Sequence, residues 1–170
     1  LTESSNIRAL DVYGTTKFFD EQLLHLFVLK NDAKVVIGRL FNVAGKHETN
    51  PHLIPEIMGQ RHKGPRKIQL GNLFPRRDYI HVEDVADALF SLSNMDMKNP
   101  IEAANIGSGI EYSVKELVDL CAKAIGEEIE IESVASRRRK VDRPGQLADI
   151  SHIKRLCGWE PSRTLEQALV

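Results

Sequence analysis

The sequence has few cysteines and no long apolar run, and each shortage argues against a class of protein. Its two cysteines, Cys121 and Cys157, lie far apart, with no CxxC pair and no histidine at ligand spacing. This pattern argues against a disulfide framework and against a zinc site. The longest apolar stretch, over residues 23–29, is interrupted by His25 and falls well short of the roughly 18 residues that a membrane span needs.

The chain also lacks an excess of charge of either sign, because its formal net charge is only −1. Such a balance gives no general attraction for nucleic acid or for a membrane surface. Hydrophobic residues make up 42% of the chain, which is ordinary for a globular protein. We therefore expect a cytoplasmic protein with free thiols and no metal, and with neither nucleic acid nor membrane as a partner.

The apolar residues that are present follow helix and strand patterns in turn. Residues 13–30 carry apolar side chains on more than one helical stripe, which predicts a helix that buries two faces. Residues 35–43 form a β-branched run typical of a buried parallel strand. A helix beside such a strand is half of a βαβ unit and favours an α/β fold.

Shorter elements are predicted along the rest of the chain. Ser113, with Glu116 three residues later, has the spacing of a capping box, and either Glu83 or Asp84 can cap the helix that ends near Asn94. Residues 105–109 contain two glycines and are interpreted as a structural turn. Helices are expected at 52–62, 83–94, 114–125, 150–157 and 164–170, and strands at 67–70, 78–82 and 129–134.

Tyr13 and Lys17 form the pattern that points most directly to chemistry. They are four residues apart at the start of the first predicted helix, where positions i and i+4 share a face. A nearby ammonium stabilises a phenolate, and such a phenol can exchange a proton with a sugar hydroxyl or carbonyl. Tyr-x-x-x-Lys also arises often by chance, so the pair alone does not establish an enzyme.

Further segments accompany the pair in a fixed order: RLFNV at 39–43, RDYIHVEDVA at 77–86, ADIS at 148–151, CGWEP at 157–161 and LEQAL at 165–169. Together they resemble the extended short-chain dehydrogenase/reductases, and within them the nucleotide-sugar epimerase/dehydratase family. The resemblance implies the C-terminal part of a Rossmann-type doubly wound sheet plus a small α/β substrate lobe. Residues 1–45 would belong to the dinucleotide-binding domain and 46–170 mainly to the lobe, with helix 83–95 packing back on the Rossmann part.

The resemblance also implies roles near a nicotinamide cofactor, NAD or NADP. Tyr13 would be the catalytic acid/base, and Lys17 would bind the nicotinamide ribose and keep the tyrosine reactive. Leu40 and Phe41 match the segment that passes beside the nicotinamide. Asn42 matches a residue that hydrogen-bonds the diphosphate of the substrate, although an asparagine at the end of a strand can also be a simple cap.

A second set of residues would hold the nucleotide-diphosphate sugar. His52 and Leu53 match a loop that lines the substrate site. Ile68 and Leu70 match a strand over the base, although core packing explains these two equally well. Arg77 fits the arginine that clamps the diphosphate, because its fork of donors matches phosphate oxygens, and its neighbour Arg76 competes for this role.

Arg139 and Asp142 form an R-x-x-D pair ahead of Asp149. The family has an arginine and an acid at this spacing for phosphate and nucleotide ribose. The rest of the basic run, Arg137, Arg138 and Lys140, is interpreted as a solvated edge.

Two features of the family are missing from these residues. The glycine fingerprint GxxGxxG, which holds the dinucleotide, occurs nowhere, and the catalytic Ser or Thr would precede Leu1. We therefore expect a C-terminal fragment that is inactive alone. The second apolar stripe of the first helix fits the homodimer that family members form by packing this helix, although cover by missing strands would leave the same pattern.

The predicted function is an oxidoreductase of the epimerase/dehydratase type, acting on an NDP-hexose through a 4-keto intermediate. A GDP-4-keto-6-deoxyhexose reductase is an alternative subtype. A non-catalytic sugar-nucleotide-binding or assembly fragment, which needs an N-terminal cofactor-binding half, is an alternative of another class. A generic α/β domain whose motifs are relics is the third.

Overall fold

A computed structural model describes residues 1–64, 66–138 and 143–169 and has the predicted α/β architecture. None of the helices in these ranges is both long and apolar enough to cross a membrane. The helices are α1 (Val12–Lys30), α2 (Leu53–His62), α3 (Val82–Ser93), α4 (Val114–Ile125), α5 (Ser151–Cys157) and α6 (Leu165–Ala168). The strands are β1 (Val35–Leu40), β2 (Asn42–Ala44), β3 (Lys67–Leu70), β4 (Arg76–His81), β5 (Ile101–Ile106), β6 (Glu111–Ser113), β7 (Glu130–Ser133) and β8 (Gly145–Gln146).

Parallel pairing dominates the sheets, as expected for an α/β fold. Strand β1 runs parallel to β5, β2 and β8 run parallel to β4, and β3 runs parallel to β7. Among the strands of the described residues, the pairing of β4 with β6 alone is antiparallel. The predicted division into two domains stays a prediction.

The single strand predicted over 35–43 is wrong, because this segment forms two strands with different partners. β1 pairs with β5, whereas β2 pairs with β4. The break falls at Phe41, whose backbone N–H still donates to the carbonyl of Ile106 at 3.0 Å. The change of partner is decided by contacts with distant parts of the chain, so an unbroken β-branched run in the sequence cannot predict it.

Strand β4 separates two apolar cores, because consecutive side chains of a strand point to opposite faces. Tyr79 packs into the first core and its neighbour Ile80 into the second. The first core draws its other buried side chains from β2, α2, β3, α4 and α6, and the second from α3, β5, α5 and Trp159. In the first core, burial raises the pKa of the free Cys121 thiol to about 11, so this cysteine is an unreactive core residue.

The first turn of α3 is capped differently from the prediction. Neither Glu83 nor Asp84 is the cap; the ring nitrogen Nδ1 of His81 accepts the Glu83 N–H at 3.1 Å. Asp84 is instead buried against the C-terminal segment. Its carboxylate accepts hydrogen bonds from the backbone and side chains of Ser162 and Arg163, at 2.6 to 3.2 Å.

The apolar side chains of helix α1 are not buried in this chain. The expectation that it buries two faces is wrong for this chain, since none of its residues is buried. A bidentate ion pair attaches the helix to β1: the guanidinium of Arg39 donates to both carboxylate oxygens of Glu21, at 2.9 and 2.7 Å. The exposed apolar side chains of the helix are Val12, Tyr13, Phe18, Phe19, Leu23, Leu26, Phe27 and Leu29.

The turn after β5 has no room for a side chain at Gly107. A Cβ there would lie 2.4 Å from Cβ of Ala148 and 2.9 Å from Oδ2 of Asp78. We predict that Gly107→Ala lowers the free energy of unfolding by about 1–3 kcal/mol. The matched control is Gly59→Ala in α2, where a Cβ meets nothing within 4 Å and should stabilise the helix by about 0.5–1 kcal/mol. Denaturant titration of both variants tests this, and equal effects would contradict it.

Asp84 predicts a dependence of stability on pH. Burial opposes its ionisation, but the hydrogen bonds from Arg163 and Ser162 outweigh burial and lower the pKa of this carboxyl. A group with a lowered pKa stabilises the fold above its unfolded pKa of about 3.9 and loses that contribution as pH falls through the folded value. Asp84→Asn should therefore lower the free energy of unfolding by about 1.5–3 kcal/mol at pH 7. The cost should shrink toward pH 3 in thermal melts, and a cost that stays constant with pH would contradict the assignment.

Candidate functional site

Seven of the twelve predicted site residues line a cleft at the carboxyl end of β1. The cleft consists of two neighbouring cavities that share lining residues. The wide chamber, of about 770 Å³, is lined by Tyr13, Leu40 and Phe41, among others. The narrow chamber, of about 210 Å³, is lined by Leu53 and Arg77, among others. Both chambers share four residues at their junction: Asn42, Val43, Glu48 and His52.

Tyr13 and Lys17 lie on the same side of α1, as their spacing predicts. The Nζ atom of Lys17 is 5.9 Å from the centroid of the Tyr13 ring, and the tyrosine is 73% exposed at the edge of the wide chamber. Lys17 also pairs with Asp20 at 2.8 Å. The hydrogen bond and the charge of Asp20 raise the pKa of Lys17, so its ammonium persists at neutral pH.

The local sequence explains why α1 begins next to the cleft. The carboxylate of Asp11 caps the helix by accepting the Gly14 N–H at 2.7 Å. The hydroxyls of Thr15 and Thr16 bond back to backbone carbonyls of the first turn, at 2.9 Å each. This start places Tyr13 in the first turn, where its side chain reaches the chamber wall.

Asn42 connects the two chambers and the two strands beside them. Its Nδ2 atom donates to the carbonyl oxygen of Asp78 on β4 at 2.9 Å, which fixes the orientation of the amide. The residue therefore has a structural hydrogen bond and a place in the cleft at once.

The adjacent arginines of β4, Arg76 and Arg77, lie in different surroundings. Arg77 lines the narrow chamber, and its Nη1 atom donates to the carbonyls of Arg76 and Arg143 at 2.8 Å each. Arg76 instead pairs with Glu111 at 2.9 Å and with Glu116 at 3.0 Å. Of the two, Arg77 is thus the arginine of the cleft.

Asp78 holds this part of β4 in position. Its side chain is fully buried, and its carboxylate accepts hydrogen bonds from the backbone and hydroxyl of Ser108 at 2.8 and 2.7 Å. It also accepts the N–H groups of Gly109 at 2.9 Å and Ala148 at 3.2 Å. The turn at 105–109 is therefore structural, as predicted.

The remaining predicted residues fall into three groups. His52 lines both chambers and Leu53 the narrow one, at the start of α2. The side chains of Ile68 and Leu70 are buried in the first core, and neither is among the residues that line the two chambers. Arg139 and Asp142 lie outside the described residues.

Sequence reasoning missed part of the narrow chamber. Arg137 was expected on a solvated edge, and its side chain is 44% exposed, but its place in the chamber wall and its ion pair with Glu56 at 2.7 Å were not anticipated. Gly71 is the residue in the sequence that could have indicated this contact, because the backbone of Arg137 approaches it closely. A Cβ at Gly71 would lie 2.3 Å from the carbonyl oxygen of Arg137. Other lining residues were not anticipated either: they include Asn72, Pro75, Tyr79, Tyr112, Val114 and Leu117 in the narrow chamber, Gln146 in the wide one, and Glu48 in both.

Comparison with known proteins agrees with this fold and cleft. The family model for GDP-mannose 4,6 dehydratase matches residues 1–170. A UDP-glucose 4-epimerase of Bacillus subtilis is 33% identical, over 98% of this chain and 54% of its own length. One from Lacticaseibacillus casei is 32% identical, over 88% of this chain and 50% of its own. The solved UDP-glucose 4-epimerase of Bifidobacterium longum in complex with NAD+ and UDP superposes with a TM-score of 0.87 and 26% identity, covering 99% of this chain and 56% of that one.

The match to the family model over the whole chain is decisive. The chain belongs to the GDP-mannose 4,6 dehydratase family, within the nucleotide-sugar epimerases and dehydratases of the extended short-chain dehydrogenase/reductases. It spans about half the length of the curated relatives that it matches.

Proposed function

We propose that these residues form the nucleotide-sugar-binding half of an NAD- or NADP-dependent epimerase or dehydratase that acts on an NDP-hexose. The observation that supports the proposal is that the two neighbouring chambers share lining residues. Tyr13 lies in the wide chamber, Arg77 lies in the narrow one, and Asn42 and His52 belong to both. A ligand with a reactive sugar at one end and a diphosphate in its middle suits this arrangement.

The wide chamber fits the nicotinamide end of the cofactor. It opens where β1 ends, and open α/β sheets bind ligands at the carboxyl ends of their strands. Leu40, which is 50% exposed, and Phe41 offer apolar surface to a flat ring, while Tyr13 and Lys17 offer polar groups. When bound, a nicotinamide accepts a hydride from a sugar carbon and can return it. The glycine fingerprint for its diphosphate is absent from these 170 residues, so another segment must supply it.

The side chains of this chain would handle the proton and the phosphates. The Tyr13 phenolate takes the proton of the sugar hydroxyl as the carbon loses its hydride, which leaves a 4-keto sugar. The Lys17 ammonium, near the ring, stabilises that phenolate. The Arg77 guanidinium holds the diphosphate, and the Asn42 amide adds a hydrogen bond to it.

The later fate of the keto sugar distinguishes the subtypes. Re-reduction gives an epimerase and an isomerase activity, elimination gives a dehydratase and a lyase activity, and reduction of a supplied keto sugar gives a GDP-4-keto-6-deoxyhexose reductase. The combination of Gly71-Asn72-Leu73 with Arg76-Arg77-Asp78 resembles that of GDP-hexose enzymes, which makes a GDP-hexose one candidate substrate.

A second candidate function is a sugar-nucleotide-binding or assembly module that works only with a cofactor-binding partner. It is favoured by the contrast between the narrow chamber, which this chain lines, and the missing glycine fingerprint. In either case we propose a cytoplasmic homodimer, with the apolar side chains of α1 in the interface, because no residue of that helix is buried.

Binding of UDP and GDP to the 170-residue chain tests the diphosphate site. Arg77→Gln should weaken the binding of the preferred nucleotide about tenfold or more, since it removes a charged donor from the narrow chamber. Arg76→Gln is the matched control: the same change one residue away, outside the chamber, should alter affinity less than about twofold. Titration calorimetry measures both. Equal losses, or no binding of either nucleotide to the parent chain, would contradict the proposal.

Turnover tests the role of Tyr13 in protein that also carries a dinucleotide-binding segment. Tyr13→Phe should lower kcat about 100- to 10,000-fold, because it removes the proton-transferring oxygen and little else. Affinity for UDP or GDP should not change, as the narrow chamber is untouched. Retained turnover in Tyr13→Phe would contradict the acid/base role of Tyr13, whereas binding of UDP or GDP without any turnover in the parent protein would favour the binding-module alternative.

A further inference from the structure

Glu48 lies at the junction of the two chambers and has no role in the function proposed so far. It lines both cavities, as does His52. A ligand that reaches from Tyr13 to Arg77 must pass this pair. In an NDP-hexose, the part between the reacting carbon and the diphosphate is the rest of the sugar ring.

The backbone fixes Glu48 at this position. His47 before it adopts a left-handed conformation, with φ of 68°, and the Glu48 N–H donates to the carbonyl of Gly45 at 3.3 Å. Gly45 packs so tightly that a Cβ would lie 2.5 Å from Cγ1 of Val82. The turn therefore directs Glu48 toward the cleft wall.

His52 engages only one side of the carboxylate. Its Nδ1 atom lies 2.6 Å from Oε1 of Glu48. The second oxygen, Oε2, has no hydrogen-bond partner within the part of the chain that the structure describes. The Glu48 side chain is only 16% exposed and lines both chambers, which places this free acceptor at the wall of the cleft.

We propose that Glu48, oriented by His52, is a specificity-determining residue that accepts hydrogen bonds from the hydroxyls of a neutral hexose and disfavours uronic acids. This inference rests on the proposed function and names its substrate class: nucleotide sugars without a carboxylate on the ring.

The chemistry of the carboxylate favours one class of sugar over the other. An ionised carboxylate is an acceptor only, and hydroxyl groups are donors that it binds through charge-assisted hydrogen bonds. The carboxylate of a uronic acid provides no donor and repels a second negative charge in a partly buried cleft. Selection then comes from attraction of the correct ligand and repulsion of the wrong one.

Calorimetry with UDP, UDP-glucose and UDP-glucuronic acid tests this inference, with the corresponding GDP, GDP-mannose and GDP-mannuronic acid series if GDP binds more tightly. The parent chain should bind the neutral sugar at least about tenfold more tightly than the uronic acid. Glu48→Gln keeps the size of the side chain but removes its charge, so the ratio should fall toward one. Glu160→Gln is the control, since it neutralises a glutamate that pairs with Lys154 at 2.5 Å and lines neither chamber, and should leave the ratio unchanged.

The arms of the experiment separate the two proposals. Failure of UDP and GDP alone to bind refutes the proposed function. Nucleotide binding with no preference between the two sugars in the parent chain leaves that function standing and overturns the assignment of Glu48. The assignment is also overturned if the preference persists in Glu48→Gln, or if Glu160→Gln abolishes it equally. The preference of the parent chain is informative even if a variant fails to fold.

Discussion

The buried carboxylate of Asp78 is the interaction on which the cleft depends. A carboxylate without water is tolerated only when hydrogen bonds replace its hydration, and here four donors do so, from Ser108, Gly109 and Ala148. These donors bring the turn after β5 and the segment that follows β8 against the middle of β4. The carbonyl of the same residue accepts the hydrogen bond of Asn42, and Arg77 precedes it on the strand, so Asp78 fixes the segment next to two polar groups of the cleft.

Strand β4 extends this organisation to the whole molecule. Its alternating side chains supply Tyr79 to one core and Ile80 to the other, so the strand is fixed from both faces. Arg77 can therefore stand in the cleft on a rigid element rather than on a loop, which suits a group that must position a phosphate. The neighbouring Arg76 forms ion pairs with Glu111 and Glu116, which hold its charge outside the chamber.

Much of the fold was predictable because its signals are local. Helix α4 begins at the capping box that Ser113 and Glu116 encode, and the spacing of Tyr13 and Lys17 places them on one side of α1. The errors arose where tertiary contacts decide. Phe41 breaks a β-branched run because the strands on its two sides pair with different partners, and no pattern within the run shows this.

The same limit applies to the candidate site, which stays a prediction in its residue roles. Motifs singled out Tyr13, Asn42 and Arg77, and the structure brings these three to one cleft. Arg137 was missed because its place in the wall depends on a close approach to Gly71 from a distant part of the chain. Core packing, which the sequence left open for Ile68 and Leu70, agrees with their burial, since they alternate with the exposed Lys67 and Gln69 along β3.

The sparse attachment of α1 makes the two ends of the cleft mechanically unequal. The helix that presents Tyr13 has no buried residue, whereas the strand that presents Arg77 is clamped between two cores. The end at Arg77, which is proposed to bind the phosphates, is thus rigid by its own packing, while the end at Tyr13, which is proposed to transfer the proton, is positioned only as firmly as α1 is held. Under the proposed function, movement of α1 would lower turnover and leave the affinity for the nucleotide unchanged.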